Sequence, residues 1–250
     1  MKALITGASS GIGREFAIIL DKMGFDIIAV ARREDKLNEL KSILNNNTII
    51  HVANISKTEE CINLFSLFPD IDILINNAGI GVFGEFSKTN LDEEIRMLDL
   101  NIKATHILTK LYLKEFIKKD SGYILNVSSS AAFFTGPLFS GYYASKAYIY
   151  RLTRAIKREL KMSGAKVSVS LLCPGPVDTE FNEKSGVHAG PSALSAYVVA
   201  EYAIKKMFRK KLIIIPGFTT KLTRIISKLL PDCVTERFVY QIQKKKNARH

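Results

Sequence analysis

Short β-branched runs alternate with longer amphipathic ones along the chain. Apolar runs at Ala3–Thr6, Asp26–Ala31, Thr48–Ala53, Ile71–Asn76, Gly122–Val127, Lys166–Cys173 and Lys211–Pro216 predict strands. Between them, apolar residues recur at helical spacing over Gly11–Met23, Arg33–Leu44, Lys57–Leu67, Asp92–Lys118, Tyr142–Met162 and Ser195–Phe208. Strict βαβ alternation implies parallel strands joined by right-handed crossovers. The expected architecture is an α/β, doubly wound parallel sheet of about seven strands with helices on both faces. Sheets of this kind bind ligands beyond the carboxyl ends of their strands, so chemistry should gather there.

It does. "TGASSGIG", Thr6 to Gly13, follows the first strand and opens the first helix. Its glycines allow a tight turn and let a pyrophosphate approach backbone N–H groups at the positive end of a helix dipole. That assigns Gly7, Ser9, Ser10, Gly11, Ile12 and Gly13 to a dinucleotide site. A preference for NAD usually comes with an acidic residue at the end of the second strand, bound to the ribose 2′-OH. Here "AVARRED" places Arg32 and Arg33 in that region. Guanidinium groups suit a 2′-phosphate, so NADP(H) is expected rather than NADH, with Arg32 the favoured contact and Ser9 a supporting hydroxyl.

"SGYYASKAY", Ser140 to Tyr148, carries three tyrosines and one lysine. Side chains four apart share a helix face, and only Tyr142 has Lys146 at that spacing. Three more signals lie at strand ends: "NNAG" (Asn76–Gly79), "NVSSS" (Asn126–Ser130) and "CPGPVDT" (Cys173–Thr179).

In order and spacing these motifs resemble the classical short-chain dehydrogenase/reductase family, over about residues 1–217, which implies a Rossmann-type catalytic domain followed by an extension at 218–250. The resemblance implies Tyr142 as the catalytic acid/base and Lys146 as its partner. It selects Ser129 over Ser128 and Ser130 as the catalytic serine, and matches Asn101 in "LDLNIKA" to the family's fourth active-site residue, which would hold a water linking Lys146 to solvent. Asn76, Asn77, Ala78 and Gly79 would support the sheet and border the adenosine. Pro174, Gly175, Val177 and Thr179 would approach the nicotinamide end. Carbonyl reduction needs a hydride on carbon and a proton on oxygen. A free tyrosine, with a pKa of about 10, is poorly matched to neutral pH, and a nearby ammonium is expected to lower it. Two positions depart from the family pattern. Asn54 stands where an Asp often meets the adenine, and Ser10 where many NADP-preferring members carry a base.

The segment after the sixth strand, Phe181 to Leu194, has the Gly, Ser, Pro and Asn content of a substrate lid. Phe133, Phe134, Leu138 and Phe139 could form an apolar wall or pack in the core, and Tyr143 and Tyr148 serve as packing or pocket wall.

Charge changes the picture only at the end of the chain. The formal net charge is +12, yet residues 1–204 hold 23 basic and 22 acidic side chains, and residues 205–250 hold 13 and 2. Within "FTTKLTRIISKLLP", Phe218, Leu222, Ile225, Ile226, Leu229 and Leu230 fall at helical spacing, with Lys221, Arg224 and Lys228 between them. Such a helix suits an anionic membrane surface, an acidic carrier protein, or the protein's own core within a homo-oligomer (dimer or tetramer). No nucleic-acid reading motif joins these bases. Cys61, Cys173 and Cys233 lack paired spacings, which points to reduced thiols and no metal site. The first strand begins at Lys2, leaving no room for a signal peptide, and a cytoplasmic protein is expected, peripheral at a membrane if the tail binds one. The function expected is an NADP(H)-dependent oxidoreductase acting on a small carbonyl or alcohol, with a 3-oxoacyl or other lipid-like compound as the substrate class. The alternative is an NADP(H)-binding sensor without turnover.

Overall fold

The computed structural model describes residues 1–186 and 193–247. Its strands are β1 (Lys2–Thr6), β2 (Asp26–Ala31), β3 (Thr48–Val52), β4 (Ile73–Asn76), β5 (Tyr123–Val127), β6 (Ser168–Leu172), β7 (Val177–Asp178), β8 (Leu194–Ser195) and β9 (Ile213–Ile214). Among the described residues, seven of these form one parallel sheet in the order β3-β2-β1-β4-β5-β6-β9, while β7 and β8 pair separately. The order reverses between β1 and β4, and that switch point opens a crevice beyond their carboxyl ends.

Side chains alternate across each strand, and both faces are covered, so the strands read as nearly continuous apolar runs. Ala3 and Ile5 of β1 pack on one side with Phe16, Ala17 and Leu20 of α1 (Gly11–Lys22). Leu37 and Leu40 of α2 (Glu34–Ile43) join the same layer. Leu4 faces the other side, against Cys61 and Leu64 of α3 (Thr58–Leu67).

The long helix expected over Asp92–Lys118 is three pieces: α4 (Leu91–Leu98), a π-helical turn (Asp99–Ala104) and α5 (Thr105–Lys118). Periodicity reads straight through, because the π turn inserts extra residues without breaking the helical run. Leu108, Tyr112 and Phe116 of α5 join Ile156 and Leu160 of α6 (Ser140–Ser163) under the Leu4 face. The expected strand over Lys211–Pro216 shortens to β9, which pairs only with Leu171 and Leu172 at the sheet edge. Cys61 and Cys173 are buried and Cys233 is exposed.

After α7 (Glu180–Lys184), residues 187–192 of the segment expected to act as a substrate lid lie outside the described residues. The chain resumes at β8 and runs into α8 (Ala196–Phe208), whose Val199, Ala200, Ala203, Ile204 and Met207 complete the α1 layer. It ends in α9 (Phe218–Leu229) and α10 (Asp232–Asn247). Pro231 separates the two, since it lacks a backbone N–H and biases Leu230 toward the extended backbone seen there. α9 turns Thr220 and Arg224 inward, Arg224 reaching the Tyr150 hydroxyl at 3.4 Å, while Phe218, Leu222, Ile225 and Leu229 are exposed. No helix among the described residues is long and apolar enough to cross a membrane.

Candidate active site

A single cavity of about 730 Å³ runs along the carboxyl ends of the central strands, from the glycine-rich turn to the start of α6. At one end, Gly7 adopts φ +69°, backbone that favours glycine, and a Cβ there would lie 2.9 Å from the Ala78 Cα. The turn therefore sits directly on the end of β4. Thr6 locks the two together, its Oγ1 accepting from the backbone N–H of Asn77 at 3.0 Å and of Ala78 at 3.1 Å. Gly7, Ser9, Ser10, Gly11 and Ile12 line the cavity. Gly13 does not line it. A Cβ on Gly13 would lie 2.2 Å from the Gly7 carbonyl oxygen, so its part is to seat α1 closely on the turn.

Ser10 is the N-cap of α1, yet its side chain caps nothing, and the first turn holds no acidic residue. The positive end of the helix is thus open to an anion. The Ser10 hydroxyl instead accepts from Arg33 at 2.9 Å, as that of Ser9 does at 3.1 Å. It is Arg33, rather than the favoured Arg32, that folds over the turn; Arg32 is exposed at the cavity wall. Arg33 also pairs with Glu180 of α7 at 2.8 Å, bridging the cavity, a partner that residue spacing did not reveal. A guanidinium, two hydroxyls and an uncapped helix end form a donor set suited to phosphate groups.

Along the middle of the cavity lie Asn77, Ala78 and Gly79, and Asn54, whose side-chain Oδ1 accepts from the Ser56 hydroxyl at 2.8 Å. Asn76 is buried below, donating to Asn126 at 2.8 Å and Thr109 at 3.0 Å. Pro174, Gly175, Val177 and Thr179 line the opposite lip. Gly175 backs onto the C-terminal helices, since a Cβ on it would lie 2.4 Å from Thr220 Oγ1.

The other end holds Ser129, Tyr142 and Lys146 together in the cavity wall. Ser129 caps the short helical turn at Ser130–Phe133, accepting from Ala131 N–H at 3.1 Å, and hydrogen-bonds the Tyr142 phenol. Ser128 points away, donating to the Lys146 carbonyl at 2.8 Å. The Lys146 ammonium lies 5.7 Å from the Tyr142 ring and donates to the Val127 carbonyl at 3.2 Å. Asn101, on the π turn, stands behind the cavity rather than lining it. Its side chain clamps Ile80, accepting from the N–H at 3.0 Å and donating to the carbonyl at 2.9 Å, and it donates to Ser145 at 3.1 Å.

Phe139 stacks on Tyr142 at 4.5 Å and Phe181 lies 5.4 Å away. This apolar packing has an electrostatic result opposite to the sequence expectation. Burial pushes the Tyr142 phenol well above its ordinary value, with the Ser129 hydrogen bond pulling it back only in part. Burial also lowers Lys146 from 10.5 to about 8. Desolvation disfavours both charged forms and is the dominant influence on each.

Of the possible apolar wall, Phe139 lines the cavity, whereas Phe133 packs on Tyr150 at 5.6 Å, away from it. Phe134 and Leu138 are half-buried. Tyr143 is pocket wall, and Tyr148 faces out toward His106. Gln243 of α10 also reaches the cavity, donating to the Tyr143 hydroxyl at 2.8 Å. A contact spanning 100 residues leaves no mark on local spacing.

The family model described as short chain dehydrogenase matches residues 1–189. The chain is 35% identical over 182 residues to a 3-oxoacyl-[acyl-carrier-protein] reductase FabG of Rickettsia prowazekii (strain Madrid E), covering 73% of this chain and 75% of that protein. Its fold is similar to that of a short-chain dehydrogenase from Sphingobium yanoikuyae in complex with NADPH, with a TM-score of 0.82, 26% identity and coverage of 91% and 93% of the two chains. A short chain dehydrogenase/reductase from Burkholderia phymatum in complex with NAD shares the fold at a TM-score of 0.83 and 22% identity, over 92% of this chain and 95% of that one.

Proposed function

The chain belongs to the short-chain dehydrogenase family, and from that premise we propose that it is an NADP(H)-dependent oxidoreductase interconverting a carbonyl compound and its alcohol. The observation that carries this is the convergence of Ser129, Tyr142 and Lys146 on the cavity whose other end holds the glycine-rich turn and Arg33. A nicotinamide dinucleotide, when bound, supplies or accepts the hydride. Ser9, Ser10, Arg33 and the open end of α1 would hold its phosphates, and Lys146 its nicotinamide ribose.

The protein's own side chains handle the proton and the charge. With its pKa raised by burial, Tyr142 keeps its proton at neutral pH, the form that donates to a carbonyl oxygen. Ser129 is placed to hydrogen-bond the same oxygen and stabilise the negative charge developing there. Lys146, still mostly protonated at neutral pH, adds an ammonium behind the phenol. Asn101 holds the Ile80 backbone, next to Gly79, the residue that both Asn101 and the Lys146 ammonium approach. Phe139 and Phe181 make the walls apolar, which favours a lipid-like substrate. The relatives named for 3-oxoacyl reduction support the 3-oxoacyl class.

The test is NADPH oxidation with a panel of diketones, aldehydes, steroids and 3-oxoacyl thioesters, with Tyr142→Phe as the blank. Turnover concentrated on 3-oxoacyl thioesters, and lower by about 10²–10⁴-fold in the variant with NADPH affinity retained, is expected. Equal turnover in the variant would remove Tyr142 from the mechanism. Tight NADPH binding with no turnover on any class would favour a sensing role.

A further inference from the structure

The two C-terminal helices are amphipathic in the wrong sense for a helix packed on its own protein. α9 turns polar groups inward: Thr220 is buried against Gly175, and Arg224 reaches Tyr150. Its apolar residues Phe218, Leu222, Ile225 and Leu229, at spacings that form one continuous stripe, are exposed, Phe218 by 80% and Leu229 by 76%. α10 repeats the arrangement. Thr235, Val239 and Gln243 are buried, and Val234, Phe238 and Ile242 form an exposed stripe, Phe238 by 67%. Lys221 and Lys228 stand together on one flank of the α9 stripe, and Arg237 beside that of α10, all exposed.

We propose that this pair of helices docks the protein on an anionic lipid surface. An exposed apolar stripe edged by lysine and arginine, on a helix of low mean hydropathy, suits the boundary between headgroups and acyl chains. Charge selects this occupant over a second copy of the chain. Residues 218–247, which make up the two helices, hold 7 basic and 2 acidic side chains, so two such faces would repel each other, while anionic headgroups would neutralise both. Docking through this face needs no catalytic residue, but it has a consequence for the cavity. Gln243 lines the cavity from the inner face of α10, and Phe238 and Ile242 lie on its outer face. A helix is about 10 Å across, so docking brings the cavity wall within about one helix diameter of the lipid.

The test is sedimentation of the full chain with phosphatidylcholine vesicles, with and without phosphatidylglycerol. At roughly fivefold per basic residue, Lys221, Lys228 and Arg237 should make binding on the order of a hundredfold tighter with the anionic lipid. Added salt should weaken it. The triple variant Phe218→Ser, Leu222→Ser, Ile225→Ser should lose binding with an unchanged melting temperature, since all three side chains are exposed. Absence of vesicle binding, or equal binding to both vesicle types, would overturn the proposal. Light scattering on the wild type and the triple variant would then say who takes the stripe: a wild-type dimer that the variant dissolves points to a second copy, and a monomer in both to an acidic protein.

Discussion

Lys146 is 5% exposed, its ammonium donates to the Val127 carbonyl, and its pKa falls from 10.5 to about 8 because burial penalises the charge. Below about pH 8 the folded chain carries this buried ammonium, and the unfolded chain carries it in water. Between about 8 and 10.5 the folded chain has released the proton while the unfolded chain still holds it. The unfolded state binds more protons in that window, so the contribution of Lys146 to stability rises with pH and levels off above it. The gap between the two values corresponds to about 3 kcal/mol at full extent. Lys146→Met keeps most of the side-chain length and removes the titrating group. Urea unfolding of both proteins across this range should show the wild type gaining about 3 kcal/mol on the variant as pH rises, whatever the constant offset between them. Other groups titrate in the same range, but they are common to both proteins. Parallel stability profiles would refute the reasoning, and would mean that water or a counter-charge solvates Lys146 in the folded chain.

Arg33→Ala should weaken NADPH binding by about 10–100-fold and NADH binding far less, as loss of a charge-assisted phosphate contact predicts, with a smaller effect from Arg32→Ala. Titration calorimetry with both cofactors checks this, and equal losses for NADPH and NADH would assign Arg33 a structural part only. Glu180→Gln, by releasing Arg33 from its partly exposed ion pair, should tighten NADPH binding by up to about fivefold. Gly13→Ala forces a methyl to within 2.2 Å of the Gly7 carbonyl oxygen, so thermal melting should show destabilisation of about 1–3 kcal/mol or more.

Much of this molecule follows from local periodicity. Strands buried on both faces must read as continuous apolar runs, and helices between them must repeat every three to four residues, so β1 to β6 and the βαβ order were legible along the chain. The same holds for the glycine-rich turn and for Tyr142 and Lys146, because one helical turn fixes their proximity without any help from the rest of the fold. The π turn under Asn101 escaped, since it leaves helical periodicity nearly intact.

What the chain does not carry locally are quantities summed over distant neighbours. Two adjacent arginines leave β2, and only the placement of Ser9, Ser10 and Glu180 decides that Arg33 is the one folded over the turn. The spacing of Tyr142 and Lys146 predicts attraction and a lowered phenol. Packing by Phe139 and Phe181 makes desolvation the larger effect and reverses the sign. The apolar stripe of α9 was visible from Phe218 to Leu229, yet which face meets the protein depended on Gly175 and Tyr150 receiving Thr220 and Arg224. Periodicity determines that a helix has two faces; only the surfaces brought against it in three dimensions determine which one is left outside.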